Sequence, residues 1–148
     1  MAWALVWWPV LAGAVLWLGG RHVPTARRGA VLGTAAVGSL AATLGLALLA
    51  ASRGAAAIHE VGAGLVLHAD LAAPANVVAV LVPAVAAVVV AWAAAHEDAV
   101  GLPRLLGLLV AFVGAMQLVV VAADLLSLLV GFELVGGLSW ALIGHDWR

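Results

Sequence analysis

The sequence contains no cysteine and no lysine, and it has few charged residues of any kind. Only 9% of its 148 residues are charged and 67% are hydrophobic, whereas an ordinary globular chain carries about 25% charged residues. So little polar surface excludes a water-soluble particle of this size. The missing cysteines exclude disulfides, thiolate zinc sites and cysteine-ligated iron–sulfur clusters. The net charge of −1 argues against a nucleic-acid partner, which needs a basic face.

The apolar residues form runs that are long enough to cross a bilayer as helices, which takes about 20 residues for a core about 30 Å thick. Residues 102–144 are long enough for about two crossings, and Asp124 lies near their middle. A carboxylate there is typical of a helix N-cap and predicts a tight helical hairpin. We therefore predict one all-α, polytopic transmembrane domain. Its spans are residues 1–20, 30–51, 76–95, 102–123 and 125–144.

The arginines predict an orientation for these spans. With five crossings, all but one of them lie on the same side of the membrane: Arg21, Arg27, Arg28, Arg104 and Arg148, against Arg53 alone. The positive-inside rule makes the first side cytoplasmic and places the N-terminus outside. The first arginines also follow the first apolar run, which favours a retained span over a cleaved signal peptide. The expected location is the inner (plasma) membrane of a bacterium.

Several polar groups outside the predicted spans carry weaker signals. The outside loop, residues 52–74, includes a stretch with short apolar pieces and glycines that predicts a small hairpin or extended segment. Its polar residues and the cluster at 96–98 are better explained as solvated loops than as metal ligands, since spacing alone supplies no ligand geometry. The tryptophans near the span ends are typical of an interfacial aromatic belt.

Glu133 carries the strongest functional signal in the sequence. It lies nine residues beyond Asp124, about 13.5 Å into the membrane by helix rise, and so close to the midplane. An ionisable group at that depth costs at least ~2.5 kcal/mol and is by default a functional site. Gly136 and Gly137 share its helical face and predict close packing of a partner helix. We therefore expect Glu133 to point into a protein interior.

Two roles for Glu133 stay open on the residues alone. The carboxyl group can act as a proton relay, or it can stay protonated and donate an interhelical hydrogen bond. Gln117 lies on the facing helix of the hairpin, within about 3 Å of the depth of Glu133. A polar contact between the two side chains is therefore geometrically allowed, although polar bonding between helices is the more general role for Gln117.

The second half of the chain resembles the early spans of a family of proton-translocating membrane subunits. This antiporter-like family includes subunit L of NADH-quinone oxidoreductase (respiratory complex I) and subunits of cation/proton antiporters and membrane-bound hydrogenases. The resemblance covers about residues 60–148. Its features are Asp70-Leu71 before a span, Ala123-Asp124 followed by two leucines, Gly131-Phe132-Glu133, and the run SWALIG at 139–144.

The resemblance implies the N-terminal part of the antiporter-like subunit fold, with Glu133 as the conduction-site carboxylate. The family pairs this glutamate with a lysine on a later, broken helix, and this chain has no lysine. The resemblance therefore implies a fragment or a split gene product, whose partner cation is supplied from elsewhere. Phe132 stands where the family usually has tryptophan, which indicates a divergent member.

The expected function is that of a membrane-arm subunit, or part of one, in a proton-translocating complex of the NADH-quinone oxidoreductase type. Its expected partners are other membrane subunits, the lipid bilayer and protons. We expect no cofactor and no metal in this chain, so the electron transfer lies in other subunits. Two alternatives stay open: a structural subunit or scaffold of a related antiporter or hydrogenase complex, and a non-functional truncated remnant.

Overall fold

The computed structural model of the protein describes residues 1–54, 56–62, 65–71 and 74–146. Within these residues, five helices are long and apolar enough to cross a membrane, which confirms the all-α polytopic fold. The elements in chain order are α1 (Ala2–Gly19), α2 (Thr25–Arg53), β1 (Ala56–Gly62), β2 (Leu65–Asp70), α3 (Ala75–His96), α4 (Leu102–Val121) and α5 (Leu125–Ile143). Short 3-10 turns follow α1 and α5, at Gly20–His22 and Gly144–Asp146.

The helices alternate in direction, so their connections gather at two ends of the bundle. We call one the hairpin end; it holds the start of α1, the strands β1 and β2, and the α4–α5 turn at residues 122–124. We call the other the arginine end; it holds Arg21, Arg27, Arg28 and Arg104. Arg53 ends α2 at the hairpin end. Arg148, which the sequence places with the first group, lies outside the described residues.

Helix α2 departs furthest from its predicted bounds, because it begins at Thr25 rather than at residue 30. Hydropathy predicts that the second span begins only after Arg27 and Arg28. In the structure α2 has an additional turn at the arginine end, and the hydrogen bonds of Arg28 stabilise it. Its guanidinium donates to three backbone carbonyls, those of Val23 at 2.8 Å, Arg21 at 2.9 Å and Ala99 at 3.1 Å. Arg28 therefore ties the α1–α2 connection to the α3–α4 connection.

The two strands form an antiparallel hairpin, in line with the small hairpin predicted for the segment between α2 and α3. Ile58 pairs with His68 and Ala56 with Asp70, and the register shifts between Glu60 and Gly62. On its other edge, β2 bridges to the α4–α5 turn through Ala69 and Ala122. Both edges of β2 are therefore engaged, which supports a two-stranded unit that is only marginally stable alone.

Helix α4 lies at the centre of the bundle, and glycines bring it close to α1. A Cβ atom added to Gly107 would lie 2.7 Å from the carbonyl oxygen of Gly13, and one added to Gly114 would lie 2.7 Å from that of Val6. Only glycine permits such close approach of two helix backbones, as is common where membrane helices pack. Two apolar clusters continue this packing, one around Leu5 and Leu118 and one around Leu40 and Leu106.

Candidate functional site

Asp124 caps the start of helix α5, just before Leu125, as the sequence predicts. The Asp124 backbone is extended, with φ −140° and ψ 164°, and its side chain accepts from the backbone N–H of Ser127 at 2.7 Å. The Ser127 hydroxyl donates to the other carboxylate oxygen, also at 2.7 Å. Acidic and amide side chains are favoured at this position because they satisfy N–H groups that lack a partner within the helix. The cap therefore ends the α4–α5 turn sharply.

Strand β2 adds a second set of hydrogen bonds to the same carboxylate. The backbone N–H of His68 lies 2.6 Å from Asp124 Oδ2 and 3.1 Å from the Ser127 hydroxyl oxygen. In return, the N–H of Ala123 donates to the His68 carbonyl at 2.9 Å. We call this cluster of His68, Asp124 and Ser127 the Asp124 knot. It fastens the β-hairpin to the start of α5.

The donors around Asp124 stabilise its ionised form. The backbone N–H of Ser127, its hydroxyl group and then the groups of His68 hold the pKa of Asp124 well below its usual range. The imidazole Nδ1 of His68 lies 3.2 Å from Asp124 Oδ2. The Ser127 hydroxyl donates to the carboxylate and not to the imidazole, so the three side chains lack the order of a serine–histidine–aspartate triad. The knot is a structural joint rather than a nucleophile site.

Glu133 lies on the open face of α5, two and a half turns from Asp124. Its side chain is exposed, as are those of its neighbours Phe132 (59%) and Trp140 (78%). The sequence predicts that Glu133 points into protein, and within the described chain it does not. The reason is that α4 packs on a different face of α5, at Gly131, where an added Cβ atom would lie 2.8 Å from a side-chain carbon of Val119.

The two glycines predicted for close packing lie on that same open face. A Cβ atom added to Gly136 or to Gly137 would lie more than 4 Å from every heavy atom of the described residues, apart from the nearby backbone of its own helix and its chain neighbours. Close packing within this chain falls instead on Gly13, Gly107 and Gly114, where α1 meets α4. The face formed by Glu133, Gly136, Gly137 and Trp140, which we call the Glu133 face, is thus open to whatever surrounds the chain.

Gln117 is not brought to Glu133. Its side chain is fully buried and its Nε2 donates to the carbonyl oxygen of Ala79 in α3, at 2.7 Å. The cause lies four residues further along α3, at Pro83. Proline has no N–H, so it leaves the carbonyl at position i−4, that of Ala79, without its helical donor. Gln117 supplies that donor and so bonds α4 to α3, which fits the general role predicted for it.

Pro83 in α3 is therefore the sequence feature from which the hydrogen-bond partner of Gln117 could have been predicted. The other carboxamide atom, Oε1, is buried and has no hydrogen-bond partner among the described residues. The contact between His68 and Asp124 had no comparable signal, because the two residues are 56 positions apart.

The arginine end holds a second contact to α5. His145, just beyond the helix, places its Nε2 3.2 Å from Glu97 Oε1 in the α3–α4 connection. Glu97 belongs to the polar cluster at 96–98, for which the sequence predicts a solvated loop. In the same cluster, the ring of His96 stacks on that of Trp92, with ring centroids 4.6 Å apart. Among the described residues, no group of three or more histidine, cysteine or acidic side chains has the arrangement to hold a metal ion.

Comparison of the chain with protein-family models and with curated protein sequences finds no match.

Proposed function

We propose that this chain is a membrane-arm subunit, or part of one, of a proton-translocating complex of the NADH-quinone oxidoreductase type. In this proposal Glu133 is the relay group, which takes up a proton from one side and passes it to a base in a neighbouring segment. The observation that carries the proposal is that no described residue covers the helix face of Glu133, a carboxyl group whose position in the sequence predicts mid-membrane depth. Such a group is costly in hydrocarbon and is usually retained for ion movement.

The partner of Glu133 is proposed to come from another chain or segment. The described arginines all lie in the first or last turn of a helix or in a connection, so none of them is at the depth of Glu133. A basic side chain from a neighbouring membrane subunit would lower the cost of the ionised carboxylate. Gly136 and Gly137 leave room for that neighbour to approach closely.

We further propose that the arginine end faces the cytoplasm of a bacterial cell and that the hairpin end faces outward. The arginine distribution supports this orientation through the positive-inside rule. It places the Asp124 knot on the outer surface of the plasma membrane.

The test of the relay is Glu133→Gln in membrane vesicles from the native organism, with proton uptake followed by a pH-sensitive dye. We expect electron-transfer-driven uptake to be abolished while the complex stays assembled on a native gel, because glutamine cannot release a proton. The matched control is Glu97→Gln, the same change at the arginine end, which should leave uptake unchanged. Undiminished uptake with Glu133→Gln would contradict the relay.

A structural role in the same kind of complex is the second candidate, and the open glycines favour it. In that case Glu133→Gln is tolerated, since an amide also hydrogen-bonds, while Gly136→Leu blocks the neighbouring helix and prevents assembly. Gly38→Leu is the matched control, because Gly38 in α2 is also exposed and a Cβ atom added there meets nothing within 4 Å among the described surroundings. A native gel separates the two variants.

A further inference from the structure

Strand β1 has a free edge, on the side away from β2. The sheet has two strands, and within the described residues β1 pairs only with β2. In β2, both backbone groups of His68 bond on the side of the α4–α5 turn, the N–H to Asp124 and the carbonyl oxygen to the N–H of Ala123. His68 therefore exchanges no backbone hydrogen bonds with Ile58, the residue opposite it in β1.

The ladder of an antiparallel pair then fixes the direction of the backbone groups of Ile58. Residues directly opposite each other alternate between pairs that exchange two hydrogen bonds and pairs that exchange none. Because Ile58 and His68 are a pair of the second kind, the N–H and C=O of Ile58 point away from β2, and neither bonds to a described residue there. Ile58 is also 67% exposed. An edge with unpaired backbone groups is a template for a further strand.

The β-hairpin lies flat on the end of the bundle, which decides where a further strand can be added. Leu67 and Ala69 are buried, while His68 and Asp70, which alternate with them, are exposed. The hairpin also contacts α1, α4 and α5 at this end. Its inner face therefore rests on the helices, and its strands run across the bundle rather than away from it. A further strand extends the sheet sideways, along the membrane surface.

A second copy of the chain matches this edge by symmetry. The two strands of an antiparallel pair are related by a two-fold axis perpendicular to their sheet. Here that axis is also the membrane normal, so both copies keep the same orientation in the bilayer, and the interface is self-complementary. The regular part of β1 before the register shift ends at Glu60, and its middle residue is Ile58. An axis at Ile58 places Glu60 opposite Ala56, so no like charges lie directly opposite each other.

We propose that two copies of the chain pair β1 with β1 about Ile58 and form one four-stranded sheet across their hairpin ends. The pairing gives hydrogen-bond partners to the outward N–H and C=O of Ile58 in both copies, and it buries the exposed isoleucine against its equivalent. It also extends a two-stranded hairpin, which is marginally stable alone, to a sheet of common size. The free edge and α5 lie on opposite sides of β2, so this inference does not depend on the proton relay at Glu133.

The chain has no cysteine, so single-cysteine variants of the full chain test the register in bacterial membranes. In the proposed pair the Cα atoms of the two Ile58 residues lie about 5.5 Å apart, within the range of a disulfide. After mild oxidation, Ile58→Cys should run mainly as a disulfide-linked dimer on a non-reducing gel.

The matched control is Ala56→Cys, which changes an exposed residue on the same strand and the same face as Ile58. In the proposed register the Cα atoms of the two Ala56 residues are offset by four residues, about 14 Å. A disulfide cannot span that distance. We therefore expect at least tenfold less linked dimer than with Ile58→Cys.

A second variant, Ile58→Pro, tests the contribution of the backbone. Proline removes the N–H at the free edge and leaves the hydrogen bonds between β1 and β2 in place. The dimer fraction in lipid vesicles is counted by single-molecule photobleaching of a labelled chain. The dimerisation constant should weaken by about tenfold or more, because each copy loses one donor. Ile58→Val, which keeps the N–H, should dimerise like the wild type.

Three results would overturn the proposal. One is no linked dimer with Ile58→Cys, whether the edge is then free or paired with a strand of a different protein. Another is linking of Ala56→Cys that is as strong as that of Ile58→Cys, which indicates random collision. The third is full dimerisation of a folded Ile58→Pro variant. If that variant does not fold, the comparison of the two cysteine variants decides alone.

Discussion

Helices α4 and α5 follow one another in the chain and have similar length and hydropathy. The chain encloses much of α4, however, and leaves most of α5 exposed. In the most apolar 18-residue stretch of each, 56% of the residues are buried in α4 and 11% in α5. Gln117 in α4 is buried and bonded within the chain, while Glu133 in α5 faces outward. Hydropathy thus identifies a membrane span but does not show which helix has its partners inside the chain.

The largest expected effect comes from a matched pair of glycine variants. In Gly107→Leu the new side chain meets backbone atoms of α1, with the Cβ position 2.7 Å from the Gly13 carbonyl oxygen. We expect a loss of about 3 kcal/mol of stability or more, because neither backbone can move aside. Gly136→Leu, on the open face of α5, should leave the isolated chain as stable as the wild type. Unfolding in mixed micelles measures both, and equal losses would contradict the contrast between the two helices.

A smaller effect is expected where α4 bonds to α3. Gln117→Leu leaves the Ala79 carbonyl unpaired, which we expect to cost about 1 kcal/mol in the membrane. Pro83→Ala restores the helical N–H that this carbonyl lacks. In the double variant the cost of losing Gln117 should therefore nearly vanish. A double-mutant cycle measured by unfolding tests this, and additive losses would show that Gln117 acts in some other way.

The Asp124 knot should stay closed across the physiological pH range. Because the folded pKa of Asp124 lies below its ordinary value of 3.8, its stabilisation is complete above that value and is lost only as the pH falls through the folded pKa. Hydrogen exchange at the amides of His68 and Ser127, corrected for intrinsic rates, should then be flat from about pH 5 to 8. In Asp124→Ala both amides should exchange faster. Protection that survives this change would show that the strands hold the hairpin without the carboxylate.

The smallest expected effect is on the stability of the isolated chain in Glu133→Gln. The side chain is exposed and has no hydrogen bond or ion pair to lose within the described residues, so we expect a change within about 0.5 kcal/mol. We expect Glu133→Gln to have a large effect only in a complex in which a neighbouring subunit covers α5. A large loss in the isolated chain, measured by the same unfolding assay, would show that Glu133 already has a structural partner.

The sequence predicts the helices well because each depends on local chemistry. The apolar runs set the spans, and Asp124 sets the start of α5 through hydrogen bonds to the next turn. The direction in which each helix faces is not local. It follows from where backbones meet, at Gly107 and Gly114 for α4 and at Gly131 for α5, and no periodicity in a uniformly apolar helix reveals it. For this reason the sequence left the contact between Gln117 and Glu133 only geometrically allowed, and the structure bonds Gln117 to α3 instead. The depth of Glu133 remains a prediction.

The Asp124 knot also has a consequence for the order in which the protein is made. His68 and Asp124 are 56 positions apart in the sequence, and α3 and α4 lie between them. During synthesis the β-hairpin is complete long before its anchor exists, and it must wait while two more helices enter the membrane. Contacts between distant residues form late because the intervening chain has to be ordered first. The joint at Asp124 therefore closes only when α5 has begun to insert, and it marks the arrival of the helix that carries Glu133.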